Sequence, residues 1–137
     1  MKRFTAILIC TGIALCTGCN SDTPNLILNT ATEWKTQSAN ATQNLLGVYF
    51  VDNAKGWIVG AGGIILYTEN SGINWANQSS GTSGFLRNVY FSDASTGTIV
   101  GESGLILRTV NGGVTWTPQT SGTTEHLVHV HFVNNLT

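Results

Sequence analysis

Apolar and polar residues alternate along Leu46–Asp52 (LGVYFVD), which places Val48 and Phe50 on one face of an extended chain. Two short apolar runs bounded by glycine follow, Gly56–Gly60 (GWIVG) and Ile64–Glu69 (IILYTE), and then Asn74–Gln78 (NWANQ). The loop Ser79–Gly84 (SSGTSG) closes the series. Runs of this length, rich in Val, Ile and aromatics and separated by Gly, Asn and Ser, predict four strands joined by tight turns.

The same pattern then returns. Shifting the chain by 41 residues superposes Leu45–Phe85 on Leu86–His126 with 20 of 41 pairs identical, among them Val48/Val89, Phe50/Phe91, Asp52/Asp93, Trp75/Trp116 and Gln78/Gln119. The register extends backward to Trp34 and Gln37, and forward to Leu127, Val130 and Phe132. Four strands repeated about every forty residues is the period of a β-propeller blade, which cannot bury both faces without neighbours. The expected fold is therefore all-β. It comprises the end of one blade (32–44), two whole blades (45–85 and 86–126) and the start of another (127–137), an open arc of ten strands.

Each repeat carries an octapeptide between its third and fourth strands, Thr68–Trp75 (TENSGINW) and Thr109–Trp116 (TVNGGVTW). Thr68, Asn70, Gly72 and Trp75 match Thr109, Asn111, Gly113 and Trp116, and Thr115 completes the pattern in the second copy. The Asn side chain can accept from backbone N–H groups of a turn, a Gly there can take positive φ, and the Trp can pack between blades. These are structural roles. The octapeptide resembles the Asp-box of sialidase-type BNR repeats. The wider pattern, LxxVxFxD followed by GxxVGxxGxIL, NGGxTW and QxSGT, is similar to the repeat of the photosystem II stability/assembly factor family. That resemblance implies a non-enzymatic propeller, often a lipoprotein, that binds protein partners. Two departures stand out: Thr98 replaces the Trp seen at Trp57, and family members close a ring of about seven blades.

Composition sharpens the picture. Only 9% of residues are charged, too few to cover long amphipathic helices, and a net charge of −1 offers no electrostatic case for nucleic acid. Lys2 and Arg3 precede an apolar stretch from Phe4 to Leu15, and LCTGC leads to Cys19. This is the layout of an export signal (1–18), and it resembles a bacterial lipoprotein leader ending in a lipidated Cys19, with Cys16 where the lipobox has Leu. Residues 19–31 would then form the lipidated cysteine and tether of an envelope protein. All three cysteines, Cys10, Cys16 and Cys19, lie in this region, so the expected mature domain is stabilised without an internal disulfide.

The candidates for chemistry are few. Arg87 and Arg108 are the only arginines beyond the leader, whereas a sialidase needs an arginine cluster, a Tyr nucleophile and an acidic partner. Asp52 and Asp93 occupy the same phase of the repeat, as turn-capping residues do. His126, His129 and His131 could form part of a zinc site, or else simply line a polar face. No cofactor is expected. The family resemblance makes Arg87 and Arg108 candidate partner contacts. The functional expectation is a lipid-anchored, protein-binding scaffold; the alternative is a fragment of a BNR-repeat glycosidase or glycan-binding protein.

Overall fold

The computed structural model describes residues 37–133; the expectations for the leader, Cys19, the tether and Trp34 fall outside them. The first sheet contains β1 (Leu45–Phe50), β2 (Gly56–Gly60), β3 (Ile65–Thr68) and β4 (Ala76–Gln78), antiparallel and in sequence order. The second repeats it with β5 (Leu86–Phe91), β6 (Gly97–Gly101), β7 (Ile106–Thr109) and β8 (Thr117–Gln119). Short 3-10 turns at Ala61–Gly63 and Glu102–Gly104 join the second strand of each sheet to the third. The glycine at the start of β2 and of β6 has a steric cause. Phe50 and Phe91 lie across Gly56 and Gly97, and a Cβ at either glycine would meet the ring 2.6 or 2.5 Å away.

Strand register decides what each sheet buries. Tyr49, Trp57 and Tyr67 align across β1, β2 and β3, while Val59 and Ile65 align beside them on the same face. On the second sheet Val89, Ile99 and Leu107 form one row, and Phe91 stands at the end of the next. These two faces meet. Trp57, Val59, Ile65, Leu86, Val89, Phe91, Ile99 and Leu107 form one buried cluster with Trp116. At its centre the Trp57 and Phe91 rings stack with centroids 3.5 Å apart and planes 13° from parallel. Each large apolar side chain buried in this way contributes about 1.5–3 kcal/mol.

The far face of the second sheet is built differently. Thr98 and Arg108 stand where the first sheet has Trp57 and Tyr67, whose rings lie 5.1 Å apart. The aromatic platform is thus absent from the second copy. Near the inner strands, Tyr49 and Tyr90 approach to 5.0 Å, so the two sheets also touch through β1 and β5.

Two expectations require correction. The fourth strand begins at Ala76 instead of Asn74, because Asn74 and Trp75 belong to the turn, and the third spans Ile65–Thr68 instead of Ile64–Glu69. Eight strands are formed among the described residues: the strand expected in 127–137 is not formed there, and the entering strand expected around Trp34 lies outside them. The segment from Leu127 to Phe132 runs alongside β5 without entering a ladder. Its links are Leu127 N–H to the Gly101 carbonyl (2.9 Å), Val130 N–H to Asn88 Oδ1 (3.2 Å) and the Tyr90 hydroxyl to the Phe132 carbonyl (3.0 Å). In both sheets the first strand pairs only with the second, and no second strand pairs with this segment among the described residues.

The packing leads to a test by urea unfolding. Trp57→Ala should destabilise the protein by about 3–5 kcal/mol, because it removes the whole stacking partner of Phe91. Val48→Ala, at a position 60% exposed, should change stability by less than about 1 kcal/mol. Equal midpoints for the two variants would contradict the placement of the core.

Candidate functional site

The octapeptide turns are polar cages built around one threonine and one asparagine. In the second copy the Thr109 hydroxyl donates to Asn111 Oδ1 (2.9 Å) and accepts from the Gly113 N–H (2.9 Å). Asn111 Oδ1 also accepts from the Thr115 N–H (3.0 Å), and Asn111 Nδ2 donates to the Thr115 hydroxyl (2.9 Å). The first copy repeats the cage: Thr68 accepts from the Gly72 N–H (3.0 Å), and Asn70 Oδ1 from the Asn74 N–H (2.9 Å). The turn therefore satisfies its own backbone donors, as a buried or half-buried loop must.

What the turn does lies outside it. Gln78, at the end of β4 in the first sheet, donates through Nε2 to the Gly112 carbonyl (2.9 Å) and accepts through Oε1 from Trp116 Nε1–H (3.3 Å). Gln37, 41 residues earlier, donates in the same way to the Ser71 carbonyl (3.2 Å). Each turn is thus gripped by a glutamine from the preceding repeat. Gly113 is required twice over: its φ is +86°, and a Cβ there would collide with the Gln78 carboxamide. Trp75 and Trp116 finish the grip edge-on to Phe50 (6.1 Å) and Phe91 (5.8 Å). In the sequence, the recurrence of Gln37, Gln78 and Gln119 three residues after each Trp was the signal for this clamp.

The turn after each first strand supports the cage from the same end of the sheet. Asp52 Oδ1 accepts from the Ala54 and Lys55 N–H groups, and Asp93 Oδ1 from those of Ser95 and Thr96. The Ser95 hydroxyl and N–H, with help from Thr96, hold the Asp93 carboxyl far below the ordinary carboxylate range. The Ala54 and Ser95 carbonyls in turn accept from the N–H groups of Ser71 and Gly112.

The charged candidates are not brought together. Arg87 Nη2 donates to Glu102 Oε1 at 2.6 Å, a partly exposed pair of the kind that contributes about 0–1 kcal/mol. The first repeat has Leu46 and Ala61 at these two positions, so both partners are new together in the second, a signal readable from the sequence. Arg108 is aligned with Thr98 and Tyr90, three residues further along the sheet than Arg87 and two strands across. That places them about 10 Å apart in each direction. Arg108 lines a shallow groove of about 220 Å³ with Thr109, Val110, Thr115, Thr117 and Gln119. His126 Nδ1 accepts from the Ser103 N–H (3.2 Å), His129 is exposed, and His131 meets Tyr90 edge-on at 4.9 Å. No group of three His, Cys, Asp or Glu side chains able to hold a metal ion forms among the described residues.

Two four-stranded sheets of one repeat, packed face to face and clamped through Asp-box turns, define blades of a BNR-type β-propeller. The chain belongs to the family of the photosynthesis system II assembly factor YCF48, whose pattern matches residues 27–117. Among solved structures, YCF48 bound to D1 peptide is similar with 28% identity and a TM-score of 0.53, over 58% of this chain and 27% of that one. YCF48 from Cyanidioschyzon merolae is similar with 26% identity and a TM-score of 0.55, over 62% of this chain and 26% of that one. The chain thus spans about a quarter of the length of either. No curated protein is significantly similar to it in sequence.

Two outcomes follow for the clamp and its supporting turn. Trp116→Ala should cost about 3–5 kcal/mol, and Asn111→Ala and Gln78→Ala about 1 kcal/mol each. Urea midpoints that placed Asn111→Ala far below Trp116→Ala would contradict this ranking. The second outcome concerns pH. Because the folded-state pKa of Asp93 is depressed, its contribution is complete above the unfolded value, near 4, and is lost as pH falls below it. The melting-temperature gap between the native chain and Asp93→Asn should therefore narrow on acidification; a gap that widened would contradict the assignment.

Proposed function

We propose that this chain is a non-catalytic, protein-binding assembly factor of the bacterial cell envelope, held to the membrane by a lipid on Cys19. The observation that carries the proposal is membership of the YCF48 family over residues 27–117, together with a relative solved in complex with a peptide. The polar groups fit it. Thr109, Asn111 and Asp93 spend their hydrogen bonds on their own turns, leaving none of them poised as nucleophile, acid or base. Arg108, beside an open groove on the second blade, is the better placed of the two arginines for a partner contact, because Arg87 is engaged by Glu102. The lipid anchor rests on the leader: a basic start, a short apolar stretch and Cys19 behind Thr17 and Gly18.

Both parts are testable in living bacteria. A clickable palmitate analogue should label the native chain and fail to label Cys19→Ala; equal labelling would remove the anchor. A photo-crosslinker at Val110, beside Arg108, should capture one discrete protein, and Arg108→Glu should reduce that product by about tenfold, the effect of one lost charged contact. Capture unchanged by Arg108→Glu would rule out the groove as the contact.

A further inference from the structure

The two octapeptide turns share one cage but differ at the bond after the asparagine. Asn70 is followed by Ser71, whereas Asn111 is followed by Gly112, the one Asn–Gly pair in the sequence. The turn itself does not require glycine there, since Ser71 takes a φ of +62° where Gly112 takes +69°. The difference is chemical. A backbone amide that follows asparagine can attack the side-chain carboxamide, and glycine leaves that nitrogen open because it carries no Cβ. In the folded turn both reactants are held. The Gly112 N–H donates to the Ser95 carbonyl (2.8 Å), and Asn111 Oδ1 and Nδ2 are engaged by Thr109 and Thr115. The Gly112 carbonyl accepts from Gln78 of the preceding repeat (2.9 Å). Attack therefore requires the turn to open locally, and the glutamine clamp is part of what keeps it shut.

We propose that Asn111 is a self-modification site, converted to aspartate by its own backbone whenever the Gln78 clamp releases the turn. The Gly112 nitrogen forms a bond to Asn111 Cγ, the Cγ–Nδ2 bond breaks, and ammonia leaves with the proton that the Gly112 N–H gives up. Water then adds at Cγ of the resulting five-membered imide, which restores the Gly112 N–H and leaves a carboxylate. No reagent other than water is consumed. The cage suits the product. A carboxylate oxygen accepts both bonds that Asn111 Oδ1 accepts, and more strongly for its charge. The Thr115 hydroxyl, which accepts from Nδ2 at 2.9 Å, can rotate to donate to the second oxygen. The first copy has Asn74 in place of Thr115 and Ser71 in place of Gly112. Only the second turn combines the glycine that admits the reaction with the hydroxyl that receives its product. Opening of the imide at its other carbonyl gives isoaspartate, whose lengthened backbone does not fit the cage.

The decisive experiment holds the full chain in mildly alkaline buffer, with a mild detergent to shield the apolar leader, and maps its peptides by mass spectrometry over time. The peptide bearing Asn111 should gain one mass unit and contain aspartate, while the peptide bearing Asn70 stays unchanged over the same interval. Conversion should be slower in the folded chain than in urea. Gln78→Ala should speed it about fivefold, the population change of one lost hydrogen bond. Ile99→Val, which trims the buried core and leaves the turn intact, should not, and this separates local opening from global unfolding. Asn111→Asp should melt no lower than the native chain at neutral pH. Absence of aspartate at Asn111, conversion as fast when folded as in urea, equal acceleration by Gln78→Ala and Ile99→Val, or a lower melting temperature for Asn111→Asp would each overturn the proposal.

Discussion

Everything in this molecule depends on one sheet covering the next. Four strands of three to six residues cannot enclose a core, so each sheet is stable only when another lies on its apolar face. The stack of Trp57 on Phe91 is the centre of that contact, and the glutamine clamp fixes its edge. An apolar stack alone tolerates sliding. A carboxamide that donates to a carbonyl and accepts from an indole N–H does not, because a shift of one residue breaks both bonds.

This gives the octapeptide a use beyond closing a hairpin. The Thr and Asn cage holds the turn in the shape that presents the Gly112 carbonyl and the Trp116 N–H outward, where Gln78 reads them. Glycine at position 113 is then the point where turn geometry and neighbour contact coincide. A feature repeated at every blade serves every interface equally. For that reason the asymmetric features, Arg87 with Glu102, Thr98 and Arg108, are the ones with scope for an individual function.

Much of the fold was legible in the sequence, because the 41-residue repeat and the alternation in each run report the same packing twice. The strand Gly56–Gly60 is bounded by glycines, one lying under Phe50 and the other at the turn into Ala61. Composition makes Asn74 and Trp75 look extended, yet the Asn74 N–H donates to Asn70 Oδ1 inside the turn and the fourth strand starts only at Ala76. The segment after His126 has strand-like alternation, but a ladder needs a hydrogen-bonding neighbour that alternation cannot reveal. The site was less legible. The recurrence of Gln78 with Gln37 and Gln119 marks the position in the sequence, but which groups it grips is set by the next blade's turn.

The central claim is that the Asp-box works between blades and not only within its own turn. A double-mutant cycle in urea between Gln78→Ala and Trp116→Phe measures this directly, since the two residues are 38 apart and meet only across the interface. The account predicts a coupling of about 0.5–1.5 kcal/mol. Strict additivity of the two substitutions would contradict it.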